Sequence, residues 1–101
     1  MRILQRNGYE VDKAETGTEA MEKINHRNYD LALIDLKLPD IEGTELLLKI
    51  PKKTNKMAKI IVTGFSNVEN GCRAAENGAD EYLVKPVKPE ELLKVVSYYL
   101  N

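Results

Sequence analysis

The sequence is short of cysteine and of long apolar runs, and both shortages limit the class of protein it can encode. Cys72 is the single cysteine among 101 residues, so no disulfide can form within the chain. No segment has the roughly 18 consecutive apolar residues of a membrane-spanning helix, and the first residues do not resemble a signal peptide. These features predict a cytoplasmic protein.

Charge of one sign is not concentrated anywhere in the chain. The formal net charge is −1, and the lysine and arginine residues do not gather in one block. Proteins that bind nucleic acid or anionic membranes usually present a basic cluster, so direct binding to either is not expected. Hydrophobic residues make up 43% and charged residues 31%, which is typical of one globular domain with a modest core.

Strand-like and helix-like segments alternate, which predicts an α/β domain with a parallel sheet and crossover helices. The predicted strands cover residues 9–14, 31–36, 59–63 and 81–84. Four helices are predicted. The first follows a capping box at residues 16–19, the second is capped by Asp40, the third covers residues 68–76, and the fourth begins at Pro89.

Three polar residues stand at the ends of three predicted strands: Asp35, Thr63 and Lys85. The carboxyl ends of parallel strands meet at one edge of a sheet, where ligands of open α/β sheets bind. There Asp35 could attack a phosphoryl group, Lys85 could hold the added charge, and Thr63 could donate its hydroxyl. Each residue also has a simpler interpretation, as a turn former, a surface cation or a strand residue. Pro86 after Lys85 allows a cis peptide bond but does not prove one.

The order of these segments resembles the receiver domain of bacterial and archaeal two-component response regulators. Residues 30–43 carry the most specific part, because Pro39 and Gly43 stand at the family's spacing from Asp35. Four further segments are similar to the family in the same order: 7–11, 14–20, 60–64 and 78–86. The resemblance covers nearly the whole chain. It implies one receiver domain over residues 1–101, with a flavodoxin-like (βα)5 three-layer fold.

The resemblance also implies roles for particular residues. Asp35 would accept a phosphoryl group from a sensor histidine kinase or a phosphotransfer protein, and Lys85 would pair with the phosphoaspartate. Thr63 and Tyr82 would form the switch pair. Mg²⁺ would be held partly by Asp35 and by the backbone carbonyl of Lys37. The chain would be a phosphoacceptor and not a conventional enzyme, and the surface of its last strand and last helix would dock partners.

One part of the family pattern is missing from this sequence. The family begins with an apolar strand ending in two acidic residues, followed by a long helix, and residues 1–6 resemble only the last turns of that helix. The acidic pair supplies Mg²⁺ ligands, so weakened magnesium binding and poor phosphorylation are expected. The strand is central in the family's sheet, and a sheet that closed without it would leave one face covered mainly by the last helix and favour a homodimer through that face.

Three arrangements could compensate for the missing strand. A second chain could fill the gap, strand 9–14 could close directly onto strand 31–36, or the natural chain could be longer. Direct closure would bring Glu15 near Asp35 as a substitute metal ligand. Two alternatives to a working phosphoacceptor therefore stay open: a receiver-like interaction module that is not phosphorylated, and an inactive fragment of a longer receiver.

Overall fold

The computed structural model describes residues 2–35, 38–50, 57–64 and 68–100. In chain order these residues form α1 (Arg2–Arg6), α2 (Gly17–His26), β1 (Leu31–Ile34), α3 (Gly43–Lys49), β2 (Ala58–Thr63), α4 (Val68–Glu76), β3 (Glu81–Val84) and α5 (Pro89–Leu100). The three strands form one parallel sheet in the order β1-β2-β3. The α/β fold class predicted from the alternating pattern is confirmed.

The core is built around β2, which lies between the other two strands. Ile60 and Ile61 are adjacent in β2 and both are fully buried. Since neighbouring strand residues point to opposite faces, each anchors a different side of the sheet. The Ile61 side is packed by apolar residues of β1, α3 and α4, including Leu46 and Leu47. Full burial of one such side chain contributes about 1.5–3 kcal/mol, so β2 is a rigid base for the sheet edge.

Several local predictions are confirmed by the helix ends. Thr16 is the N-cap of α2, and its hydroxyl oxygen accepts a hydrogen bond from the backbone N–H of Glu19 at 3.0 Å. Helix α4 spans the predicted residues, and α5 begins at Pro89, where the missing proline N–H costs nothing. These helices are specified by residues within one turn of their ends.

The strand predicted at residues 9–14 is wrong. This segment contains no strand residue, and β1 pairs with β2 alone in the part of the chain that the structure describes. A groove lies between residues 8–16 and the other edge of β1. A strand needs a neighbouring ladder for its N–H and C=O groups, and across the groove the segment has none. Direct closure onto β1, with Glu15 brought to Asp35 as a metal ligand, is therefore wrong too, although both residues line the groove.

Asp40 does not cap α3 as the sequence predicted. The N-cap of α3 is Glu42, which makes no side-chain capping bond. Asp40 binds the start of α2 instead: its carboxylate accepts from the backbone N–H of Gly17 at 2.8 Å, and from the N–H and hydroxyl of Thr18 at 3.0 and 2.8 Å. The loop after β1 comes so close to α2 that a Cβ on Gly17 would overlap the side chain of Ile41. A helix N-terminus attracts carboxylates, so Asp40 is drawn to α2.

Candidate functional site

The predicted carboxylate and ammonium meet at the carboxyl edge of the sheet. Asp35 directly follows β1 and Lys85 directly follows β3, and Lys85 Nζ donates to Asp35 Oδ2 at 3.2 Å. The Asp35 side chain is 39% exposed and the Lys85 side chain 52%. An ion pair this exposed contributes at most about 1 kcal/mol to folding. The pair therefore matters for the chemistry available at the surface more than for stability.

Thr63 lies between these two residues in the sheet, as the last residue of β2. It is fully buried, and its backbone carbonyl accepts a hydrogen bond from the Lys85 N–H at 2.8 Å. Gly64 follows, and a Cβ built on it would meet no heavy atom of the described residues within 4 Å. The Lys85–Pro86 peptide bond is cis. The structure thus brings the three predicted residues to one edge of the sheet.

Two other predicted site residues have different outcomes. Tyr82 is half-buried in β3 and packs against the core cluster around Ile61. Its role as a switch partner of Thr63 stays a prediction. Lys37, whose backbone carbonyl was predicted to bind Mg²⁺, lies outside the described residues.

The loop that follows Asp35 is held by contacts that sequence reasoning missed. Asp40 ties this loop to the first turn of α2, and the bonds from Gly17 and Thr18 lower the pKa of the Asp40 carboxyl below its ordinary value. The bond from the Gly17 backbone is the largest cause, because it stabilises the charged form. The sequence signal for this contact is weak. Thr16 and Asp40 both have side chains that cap helices, but the sequence does not show that both bind the start of α2.

The described residues do not by themselves fit a magnesium ion. They contain no group of three or more His, Cys, Asp or Glu side chains that could hold a metal. Asp35 is the carboxylate of the three-residue site, and one of its oxygens is bound by Lys85. Mg²⁺ needs near-octahedral oxygen coordination, and one shared carboxylate supplies little of it.

The family model described as "Response regulator receiver domain" matches residues 1–97. The chain belongs to this family. None of the helices in the described ranges is long and apolar enough to cross a membrane.

Curated relatives of this receiver are longer proteins. The transcriptional regulatory protein ResD of Bacillus subtilis is 38% identical over 98 residues, which are 97% of this chain and 40% of ResD. The transcriptional regulatory protein ZraR of Klebsiella oxytoca is 32% identical over 95 residues, which are 94% of this chain and 21% of ZraR. The chain thus spans less than half the length of these relatives.

Solved structures share the receiver fold. A CheY-like receiver domain protein from Methanospirillum hungatei is 46% identical with a TM-score of 0.92, and the match covers 96% of this chain and 78% of that one. The response regulator TrrA of Thermotoga maritima, solved in complex with Mg²⁺-BeF, is 37% identical with a TM-score of 0.85. That match covers 98% of this chain and 84% of TrrA.

Proposed function

We propose that this receiver domain accepts a phosphoryl group on Asp35 from the phosphohistidine of a sensor histidine kinase or a phosphotransfer protein. The observation that carries the proposal is the 3.2 Å contact between Lys85 Nζ and Asp35 Oδ2 at an open sheet edge. A half-exposed carboxylate beside an ammonium is accessible as a nucleophile, and the ammonium can offset the negative charge that a phosphoryl group adds.

In the proposed step, a carboxylate oxygen of Asp35 attacks the phosphorus atom as the nucleophile. The new O–P bond forms while the N–P bond of the donor breaks, and the leaving imidazole takes a proton from solvent. Lys85 remains against the product and offsets its charge as a point cation. Its stem reaches across the end of β2, so the ammonium can follow the phosphoryl group without moving the sheet.

Thr63 and Tyr82 are proposed to transmit the change. The Thr63 hydroxyl would rotate to donate to a phosphoryl oxygen, and Tyr82 would repack against the core cluster that it already contacts. Both residues lie on strands that flank each other, with Ile61 opposite Tyr82 and Thr63 opposite Val84. A shift at the end of β2 is therefore passed to β3 through direct neighbours.

The partner surface is proposed to lie on β3 and α5. Val84 and Tyr98 are the exposed large apolar residues of these elements, at 46% and 78%. We propose that this surface docks the kinase or a second copy, that the chain is a phosphoacceptor rather than a conventional enzyme, and that it works in the cytoplasm. The single cysteine supports the last point. Mg²⁺ is proposed to bind weakly, because the described site offers one shared carboxylate.

The test is intact mass after incubation with a small phosphodonor such as acetyl phosphate, with and without Mg²⁺. The expected result is a gain of one phosphoryl group that disappears in Asp35→Asn. Asp30→Asn is the matched control, because Asp30 precedes β1 at the opposite end of the same strand. A gain that persists in Asp35→Asn, or no gain in a folded sample, would contradict the proposal.

A second candidate is a receiver-like interaction module that is not phosphorylated. The lack of a metal-binding cluster in the described ranges favours it. A folded chain that gains no mass yet binds a kinase fragment or a copy of itself would support this candidate.

A further inference from the structure

The loop between β1 and α3 is bonded to a helix that is distant from it in sequence. Asp40 in this loop accepts three hydrogen bonds from the first turn of α2: from the Gly17 N–H at 2.8 Å, the Thr18 N–H at 3.0 Å and the Thr18 hydroxyl at 2.8 Å. Hydrogen bonds to an ionised acceptor are stronger than bonds between neutral groups. This set of contacts between Asp40, Gly17 and Thr18 is named the Asp40 clamp.

The residue after Asp40 holds the loop at the same point. A Cβ on Gly17 would overlap Ile41 Cγ2, so the Ile41 side chain fills the space beside the start of α2. Ile41 also packs against the core cluster around Ile61, whereas Asp40 is exposed. The loop is therefore fixed from two sides, by apolar packing toward the core and by hydrogen bonds at the surface.

Helix α2 does not depend on Asp40 for its cap. Thr16 is the N-cap, and its hydroxyl oxygen already accepts from the Glu19 N–H. Thr18 supplies two of the three clamp bonds and is exposed, so water can bond to these groups when Asp40 is absent. The described residues of the loop lie outside the helices and strands, and the clamp therefore has its main effect on the loop.

The loop begins at the proposed phosphoacceptor. Ile34 is buried at the end of β1 and pairs with Ile61 of β2, so the backbone is fixed up to the residue before Asp35. The ion pair of Asp35 with Lys85 is half-exposed, and such a pair holds its partners only weakly. The position of the Asp35 carboxylate therefore depends on the loop after it, which Asp40 fixes, as well as on the strand before it.

We propose that Asp40 is a positioning residue for the phosphoacceptor: by holding the loop against α2, it keeps the Asp35 carboxylate beside Lys85. The inference rests on the proposed phosphorylation of Asp35 and names a residue that acts on it without touching the phosphoryl group. Reacting groups held in a productive geometry react faster, and a misplacement of about 1 Å costs roughly 100-fold in rate. Loss of the clamp is therefore expected to slow phosphorylation by about 10- to 100-fold.

Three variants separate the clamp from the charge of Asp40. Asp40→Ala removes all three bonds. Asp40→Asn removes the charge but keeps one acceptor oxygen. Glu42→Gln is the matched control, because Glu42 is an exposed carboxylate of the same loop that makes no side-chain capping bond and lies 3.9 Å from Arg73. It removes the same charge from the same loop and leaves the clamp intact.

The first readout is intact mass against time at a series of acetyl phosphate concentrations. The maximal rate of Asp40→Ala should fall about 10- to 100-fold, while the acetyl phosphate concentration that gives half of this rate stays within about 2-fold. Asp40→Asn should lie between Asp40→Ala and the parent chain, and Glu42→Gln should match the parent chain. A purely structural role would lower the folded fraction but not the rate per folded molecule, so each rate is divided by the folded fraction from circular dichroism.

The second readout does not require phosphorylation. The carboxyl carbon of Asp35 is observed by NMR in protein with isotope-labelled aspartate, and its resonance is assigned from its loss in Asp35→Asn. In the parent chain Lys85→Met should shift this resonance, because the Lys85 ammonium lies 3.2 Å from the carboxylate. In Asp40→Ala the same Lys85→Met change should shift it much less, since the two groups are no longer held together.

Two results would overturn the proposal. One is a maximal rate of Asp40→Ala within about 2-fold of that of Glu42→Gln. The other is an equal effect of Lys85→Met on the Asp35 resonance with and without Asp40. A parent chain that gains no phosphoryl group would contradict the proposed function alone, because the NMR comparison still decides whether Asp40 holds Asp35. Should Asp40→Ala fail to fold, Asp40→Asn and Thr18→Val decide in its place, because Thr18→Val removes only the hydroxyl bond of the clamp.

Discussion

Replacing Gly17 with alanine tests how closely the loop after the phosphoacceptor is fitted to α2. A Cβ at Gly17 would overlap Ile41 Cγ2 and come within 3.3 Å of Asp40 Oδ1. Forcing extra atoms into a packed site costs about 1–3 kcal/mol. Gly→Ala also restricts the unfolded chain, which returns about 0.4–1 kcal/mol. The expected net loss in the free energy of unfolding is about 1–2 kcal/mol.

The measurement is urea unfolding, in which a constant slope and a lower midpoint report a loss of stability. Gly64→Ala is the matched control, because its added methyl meets no heavy atom within 4 Å among the residues that the structure describes. Its stability should change by less than about 0.5 kcal/mol. A double-mutant cycle with Ile41→Ala isolates the overlap, since removing Ile41 Cγ2 should remove most of the cost of Gly17→Ala. Two results would contradict a close fit at Gly17: equal stability of Gly17→Ala and the parent chain, or an unchanged cost of Gly17→Ala once the Ile41 side chain is removed.

Three further changes have expected outcomes. Lys85→Met should lower phosphorylation in the mass assay while changing stability by less than about 1 kcal/mol, since the ion pair is exposed; a large loss of stability would make Lys85 structural. The pKa of Asp40 is lowered from its ordinary value of 3.8, so the Asp40 carboxylate stabilises the fold fully above that pH. This stabilisation is lost as the pH falls through the lowered pKa. Asp40→Asn should therefore flatten the acid limb of stability against pH, and an unchanged limb would contradict the assignment. The hydrogen bond from Tyr99 to Glu81 raises the pKa of Tyr99 to about 12. The stability that the protonated Tyr99 hydroxyl contributes is therefore present below pH 10 and is lost as the pH rises to about 12. The hydrogen bond to Asp12 also raises the pKa of Tyr29, so an absorbance titration of Tyr29→Phe is the background in which Tyr99 is tested. In that background Tyr99→Phe should remove the remaining late ionisation, and a late ionisation of unchanged size would rule Tyr99 out as its source.

The elements that were predictable from the sequence are those whose signals are local. Thr16 lies three residues from the N–H it caps, and Pro89 marks the first turn of α5 by its own chemistry. The chemical site was predictable for a different reason. Parallel strands place their carboxyl ends together, so Asp35, Thr63 and Lys85 could be assigned to one edge before any distance was known.

The features that could not be predicted depend on partners distant in sequence. Asp40 has the spacing of a cap for α3, but its bonds are to Gly17 and Thr18, at separations of 23 and 22 residues. Residues 9–14 have a strand-like composition, yet a strand exists only where another strand offers its backbone groups. The composition of residues 9–14 permits a strand, but a strand forms only where a neighbouring strand pairs with their backbone groups.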